Sequence, residues 1–200
     1  MDNLQVGAVG WLHADWQGTF YPDDMPQEWQ LDYYGNAFHV VLVPQSQWLE
    51  WRDEELEDYA DNVEEDFAFY LELKEPVDQH KLQQLLLVKQ VLGSFLCGVV
   101  VFSESWLPER SLEGVPVSLV SKSLQLPGWH WEVEGSILSG APFGYVENLQ
   151  EDGKWQTALL QDFVGSFPPG LLGAPFFIGG DSIDMAQVTN LKVIGELLGY

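Results

Sequence analysis

The first half of the chain alternates between apolar stretches and longer segments in which apolar residues recur at helical spacing. The apolar stretches predict buried strands at Leu4–Val9, Phe38–Val43, Phe67–Leu73 and Gly98–Ser103. The segments between them predict helices at Pro26–Asn36, Ser46–Asn62 and Val77–Leu92. Because strands that alternate with helices are typical of a parallel sheet with crossover helices, we expect an α/β fold.

The pattern changes after about Pro108, and no helical spacing is present from Val115 to Leu149. Two strands, Val117–Leu126 and Trp129–Ile137, are predicted on either side of a turn at Pro127-Gly128. The remaining predicted elements are a strand at Phe143–Glu147, a helix at Lys154–Phe163, a strand at Pro175–Ile178 and a helix at Ile183–Leu198. We therefore predict a single domain over residues 1–200 with a helix-poor, partly antiparallel middle.

The charge of the chain restricts the partners that it can bind. Eight basic residues stand against 31 acidic ones, which gives a formal net charge of −23. Such a field repels phosphate, so neither nucleic acid nor an anionic membrane is expected as a partner. Ten of the acids lie between Glu50 and Asp66, where most are expected on a solvated helix face. A basic protein partner or loosely held divalent cations would be the functional interpretation of this charge.

The single cysteine, Cys97, stands in an apolar run and is expected to pack as a small hydrophobic residue. No disulfide can form within the chain, which favours a reducing compartment and predicts a cytoplasmic location. The N-terminal residues lack the basic and apolar regions of a signal peptide. No apolar stretch approaches the ~20 residues that a membrane span needs.

The common catalytic and nucleotide-binding motifs are absent from the sequence, and the four histidines lack metal-ligand spacing. We therefore predict neither a metal site nor a cofactor. Asp181 is the acid of most interest, because it follows the last predicted strand and two glycines. It would point into the usual site of an α/β barrel, or else Asp181 or Ser182 would cap the last helix.

The aromatic residues of the first forty positions occur in an order that resembles the start of the Domain of Unknown Function 72 family. The shared pattern is a Gly-Trp pair, a second Trp, a Gly, a Phe-Tyr-Pro run, a Tyr-Tyr pair and a strand. These are Gly10-Trp11, Trp16, Gly18, Phe20-Tyr21-Pro22, Tyr33-Tyr34 and Phe38. The run Phe176–Asp181 also resembles the Phe-Asn-Asn-Asp strand end of that family. The resemblance implies a TIM barrel with any site at the C-terminal mouth of its strands.

The sequence departs from the family at the strand ends, where a barrel keeps its chemistry. Leu42 and Pro44 stand where the resemblance implies a glutamate and an asparagine, and Glu72 stands where it implies a lysine. Glu132 keeps the acid of the middle-strand motif without its basic groups, and Gly179-Gly180 replaces Asn-Asn. These losses predict a barrel without the ancestral activity of the family.

The chain is also shorter than the ~250 residues of a typical TIM barrel, so we expect an incomplete or distorted one. An incomplete barrel exposes strand edges that must be covered. The stretch Val117–Ile137, which contains Trp129 and Trp131, is the candidate for that cover or for a dimer interface.

Three functions stay open from the sequence. The first is a degenerate, non-catalytic barrel that acts as a binding or assembly module, with a protein partner or a second copy of the chain. The second is an enzyme, possibly a hydrolase, that uses Asp181 and His13 near Trp11, Trp16 and Tyr21 as ligand-binding residues, although these aromatics could equally fill the core. The third is an acidic protein that mimics a polyanion, suggested by the acids of residues 53–66.

Overall fold

Ten strands and six α-helices are present in the computed structural model, which describes residues 3–200. The strands are β1 (Gln5–Val9), β2 (Val40–Val43), β3 (Ala68–Leu73), β4 (Leu96–Phe102), β5 (Ser111–Leu112), β6 (Val115–Ser121), β7 (Trp129–Val133), β8 (Ser136–Gly140), β9 (Gly144–Val146) and β10 (Pro175–Ile178). The helices are α1 (Gln30–Gly35), α2 (Gln45–Trp48), α3 (Asp53–Asn62), α4 (Gln79–Leu92), α5 (Gly153–Gly165) and α6 (Met185–Leu198).

Nine of the strands form one curved, nearly closed sheet in the order β7-β8-β6-β4-β3-β2-β1-β10-β9, and β5 pairs only with β6. The pairs from β9 through β10, β1, β2, β3 and β4 to β6 are parallel. The last two pairs, β6 with β8 and β8 with β7, are antiparallel. The molecule is therefore a mixed α/β structure with a barrel-like sheet, in which β7 and β9 are the two free ends.

The gap between these two ends is covered by side chains of the β7–β8 hairpin. The Trp131 ring lies 4.9 Å from that of Phe163 on α5 and 6.1 Å from that of Phe176 on β10. Its indole Nε1–H donates to Asp162 Oδ2 at 2.8 Å, and the Trp129 Nε1–H donates to the Ser166 carbonyl at 3.0 Å. The hairpin thus covers the flank of the barrel within the chain, as one of its two predicted roles required.

The turn of this hairpin lies elsewhere than predicted. The segment Trp129–Ile137 is not one strand, because the chain reverses at Glu134-Gly135 and returns as β8. Both turn residues have positive φ, 50° and 80°, as the tightest hairpin turns require. Pro127-Gly128 only links β6 to β7, which are both paired with β8 and not with each other.

The predicted helix Ser46–Asn62 is also wrong, because the chain forms α2 and α3 with a break between Trp48 and Asp53. Two buried tryptophans account for the break. The Trp48 Nε1–H donates to the Glu72 carbonyl at 2.8 Å, while Trp51 packs against Trp11 and Tyr59. A second helix then starts at Asp53, where the Arg52 N–H donates to Glu55 Oε2.

The other predicted strands and helices are present with their ends shifted by a few residues, and the short strand β5 was not predicted. The stretch from Val115 to Leu149 contains no helix, as the pattern indicated. None of the helices within residues 3–200 has the length and hydropathy to span a bilayer.

Side chains fill the interior of the barrel. The rings of Tyr70 and Phe177 lie 5.2 Å apart across it, and those of Phe102 and Tyr145 lie 4.9 Å apart nearer the C-terminal ends of the strands. Gly98 is required beside the first pair, since a Cβ there would lie 2.7 Å from the Tyr70 ring. The barrel is therefore a packed core and not a pore.

Candidate functional site

A cleft of about 530 Å³ lies at the C-terminal ends of the barrel strands, and we call it the mouth cleft. Its wall is built by the ends of β4, β6 and β9 together with the turn of the β7–β8 hairpin. Its lining residues are Phe102, Ser103, Glu104, Val120, Lys122, Val133, Glu134, Ser136, Tyr145, Val146, Glu147 and Asn148. Three of these are carboxylates and one is a lysine, so the cleft is acidic.

Glu104, which follows β4, organises the loop after β6. Its carboxylate accepts hydrogen bonds from the Lys122 N–H at 2.9 Å and 3.0 Å and from the Ser121 hydroxyl at 3.0 Å. The backbone N–H of Lys122 is the main cause that lowers the Glu104 pKa, and the hydroxyls of Ser121 and Ser123 lower it further. Glu104 is therefore ionised and engaged in holding a loop.

Glu72, near the end of β3, stands where the family resemblance implies a lysine. It is buried, and its Oε2 accepts the Gln45 N–H at 3.0 Å at the start of α2. Its Oε1 forms an ion pair with Lys74 Nζ at 2.9 Å. The buried carboxylate thus has both a hydrogen-bond donor and a counter-charge, and it ties β3 to α2.

Tyr145 and two acids occupy the opposite side of the mouth cleft. The Tyr145 hydroxyl donates to Glu147 Oε1 at 3.3 Å. Burial raises the pKa of Tyr145, and the charges of Glu147 and Glu72 raise it further, so the hydroxyl stays protonated. The cleft partly desolvates the Glu134 carboxyl, which raises its pKa, and Glu147 adds to that shift. Two acids with unlike environments beside a hydroxyl are an arrangement that can donate and accept protons.

Gly179 and Gly180 allow Tyr145 to lie across the mouth. A Cβ at position 179 would lie 2.6 Å from the Tyr145 hydroxyl oxygen, closer than real side chains approach. Gly180 has a φ of +112° and packs against the Glu147 carbonyl, where a side chain would clash. The replacement of Asn-Asn by Gly-Gly is therefore coupled to Tyr145, a residue that the sequence analysis did not select.

The structure does not bring the two predicted catalytic residues together in the mouth cleft. Asp181 is exposed after β10 and is not a lining residue. His13 Nε2 lies 2.7 Å from the Val9 carbonyl, and its ring stacks on Trp16 at 4.3 Å. The cap of α6 is Asp184, whose Oδ1 accepts the Ala186 N–H at 2.8 Å, so the alternative in which Asp181 or Ser182 caps this helix is wrong.

The three aromatics predicted to bind a ligand are buried in the loop after β1. The Tyr21 hydroxyl donates to the Trp11 carbonyl at 2.7 Å, and the Trp16 Nε1–H donates to the Ile183 carbonyl at 2.9 Å. Trp11 alone reaches an open surface, since one edge lines a groove beside α3. A ligand-binding role for these side chains stays a prediction.

Cys97 has the environment expected of a structural thiol, since burial raises its pKa. Over the described part of the chain, no group of three or more His, Cys, Asp or Glu side chains is arranged to hold a metal ion.

Comparisons with known proteins agree with the aromatic pattern. The model of the family described as "Protein of unknown function DUF72" matches residues 5–104. A crystal structure of a DUF72 family protein from Thermotoga maritima superposes with a TM-score of 0.52 over 99% of this chain and 100% of that one. Its sequence identity is 13%, so the likeness concerns the fold alone. No curated protein matches the chain. The chain belongs to the DUF72 family, as its opening aromatic residues predicted.

Proposed function

We propose that this protein is a non-catalytic barrel that acts as a binding or assembly module. The proposal rests on one observation: the polar groups at the strand ends of the mouth are engaged in holding its own loops. Glu104 binds the backbone and hydroxyls of the loop after β6, and Glu72 binds the start of α2 and Lys74. A catalytic acid or base needs a proton-transfer partner within reach, and these two carboxylates are occupied by structural donors.

The filling of the barrel mouth supports the same proposal. Tyr145 lies over Gly179 and packs against Phe102, in the space where a longer side chain at position 179 would have pointed. Family members with Asn-Asn at this strand end would present amide groups to a ligand. In this chain the same space contains an aromatic ring, which favours a core over a reaction site.

We further propose that the sheet is a modified TIM barrel. Seven consecutive strands from β9 to β6 pair in parallel, and the whole chain resembles a DUF72 structure. The β7–β8 hairpin would then replace the last part of the usual barrel and its helices. The cytoplasmic location inferred from the single cysteine stays a prediction.

One observation favours an enzyme as the second candidate. Glu134 has a raised pKa, Glu147 lies close to it, and both line an open cleft beside the protonated Tyr145 hydroxyl. A pair of acids whose environments separate their pKa values is the arrangement of a general acid and a general base. In that case Glu134 and Glu147 would act, as a hydrolase would require.

Substrate turnover separates the two candidates. The purified protein is assayed with chromogenic glycosides, carboxylic esters and phosphate esters beside the variants Glu134→Gln and Glu147→Gln. Glu132→Gln is the matched control, since this exposed acid of β7 lies outside the mouth cleft. We expect all four proteins to equal the buffer blank. Turnover by the wild type and the control that both cleft variants lose would overturn the non-catalytic proposal.

A further inference from the structure

A second groove, of about 700 Å³, lies outside the barrel between the α1 region and α3. We call it the α1–α3 groove and define it by Leu12, Glu28, Trp29, Asp32, Glu55 and Asp58, which line it. It is larger than the mouth cleft and shares no lining residue with it. Its position on the outer surface makes it accessible to a macromolecule and not only to a small ligand.

The groove exposes apolar side chains that the fold does not use. Trp29 is 62% exposed and Leu12 is 36% exposed, although 47 other hydrophobic residues of described structure are buried. Below them, the rings of Trp11 and Tyr59 meet edge to face at 5.5 Å and form part of the lining. Exposed tryptophan beside a concave aromatic surface is typical of the residues that contribute most to protein–protein binding.

Both walls of the groove are negatively charged. Glu28 and Asp32 stand on the α1 side, and Glu55 and Asp58 stand on α3. None of these four carboxylates forms an ion pair with a lysine, arginine or histidine of residues 3–200. Burial, and then the charges of Glu55 and Asp58, raise the pKa of Tyr59 to about 12. The carboxylates therefore act together on the space above the aromatic lining.

We propose that the α1–α3 groove binds a basic segment of a partner protein, in which an apolar side chain packs on Trp29 and Leu12 between flanking arginines or lysines. The inference deepens the proposed binding function and rests on it. The cationic groups would reach the acids of both walls, and an arginine could also stack on the Trp29 ring. The acids supply orientation and association rate, and the exposed aromatic supplies the buried contact.

Charge also decides against the other occupants. Nucleic acid is repelled by these carboxylates, as it is by the net charge of −23. A second copy of the chain has the same charge and only eight basic residues, so a symmetric dimer would bring acids against acids at this face. A basic peptide segment is complementary to both the charge and the apolar strip of the groove.

The test is a titration of the purified protein with a fluorescent peptide in which one leucine is flanked on each side by arginines, followed by fluorescence anisotropy at low and high salt. Two further peptides replace the leucine by glycine or the arginines by glutamines. The groove variant is Asp32→Asn with Asp58→Asn, one acid from each wall, and a second variant is Trp29→Ala. The matched control is Glu64→Gln with Glu65→Gln, which removes the same charge from exposed positions outside the groove.

We expect the groove variant to weaken binding roughly three- to tenfold at low salt, as two exposed ion contacts would. Trp29→Ala should weaken binding at least as much, and the control should not change it. The glycine peptide should bind less tightly than the leucine peptide, and added salt should reduce the affinity. The urea midpoints of all variants are measured, because these exposed substitutions should leave folding intact.

Three results would overturn the inference: no binding of the leucine peptide at low salt, equal loss in the groove and control variants, or equal affinity for the leucine and glycine peptides. The second of these would mean that the overall charge binds the peptide without a site. Failure here leaves the non-catalytic proposal standing, because that proposal is decided by the turnover of the mouth-cleft variants.

Discussion

The two halves of the barrel solve the same packing problem in different ways. From β1 to β4 the strands are joined by helices, and the loop after β1 is an aromatic cluster bound to the scaffold through Trp16, Tyr21 and Tyr34. From β5 to β9 the connections are turns, and two tryptophans of a hairpin take the place of covering helices.

This difference locates the open surface of the barrel mouth. The helical half keeps the family aromatics but buries them, so its first loop is core. The hairpin half lacks those aromatics and leaves the mouth cleft open, with Glu134 and Glu147 in its wall. Retained family residues therefore mark the framework in this protein, and the accessible polar groups lie where the family pattern fades.

The largest expected effect is on the aromatic core of the helical half. Trp16→Ala should lower the free energy of unfolding by about 3–5 kcal/mol, because it removes a buried ring and leaves the Ile183 carbonyl without its donor. Trp131→Ala in the hairpin should be at the lower end of that range, since β7 is a sheet edge. Urea unfolding measures both.

Trp29→Ala is the control for this comparison. Its ring is mostly exposed, so the free energy of unfolding should change by no more than about 0.5 kcal/mol. If Trp16→Ala were equally mild, the loop after β1 would not belong to the core, and its aromatics would be free to bind a ligand.

A smaller effect tests the coupling of Gly179 to Tyr145 across the mouth. Gly179→Ala should destabilise the protein by about 1–3 kcal/mol, because the new methyl group overlaps the tyrosine. In the double variant with Tyr145→Ala, the penalty of the alanine at 179 should fall by at least ~0.5 kcal/mol, and a thermodynamic cycle from denaturant unfolding gives this coupling. Additive effects would show that the glycine does not make room for the ring.

The smallest effects are opposite in sign within one cleft. The lowered pKa of Glu104 means that its ionised form stabilises the fold above the unfolded pKa of about 4.3, and that this contribution disappears as the pH falls through the folded pKa. Glu104→Gln should therefore be less stable than the wild type at neutral pH and should approach it in acid.

Glu134 should behave in the reverse way. Its raised pKa means that the ionised form destabilises the fold at neutral pH, and that the penalty disappears as the pH falls below the folded pKa towards the unfolded value. Glu134→Gln should be more stable than the wild type at neutral pH, with the advantage lost in acid. Thermal melts of the two variants across pH check the signs, and a shared sign would contradict the difference between the two sides of the cleft.

Much of the architecture could be predicted because its signals are local. The apolar run of β2 and the helical spacing of α4 each act over a few residues, and the strand–helix alternation in the first half followed from them. The hairpin turn was misplaced for a local reason too. Pro127-Gly128 is a common turn pair, yet Glu134-Gly135 closes the tight turn, with a glutamate at a positive φ that few side chains adopt.

The sequence by itself determined the family, the acidic charge and the buried strands of this protein, because composition and short-range periodicity need no knowledge of distant contacts. Only the tertiary structure decided that Glu134 meets Glu147, that Tyr145 lies over Gly179, and that His13 and Asp181 stay apart. Each of these depends on the order and register of strands that are far apart in the chain. A shift of one residue in register would turn every side chain of a strand to its other face.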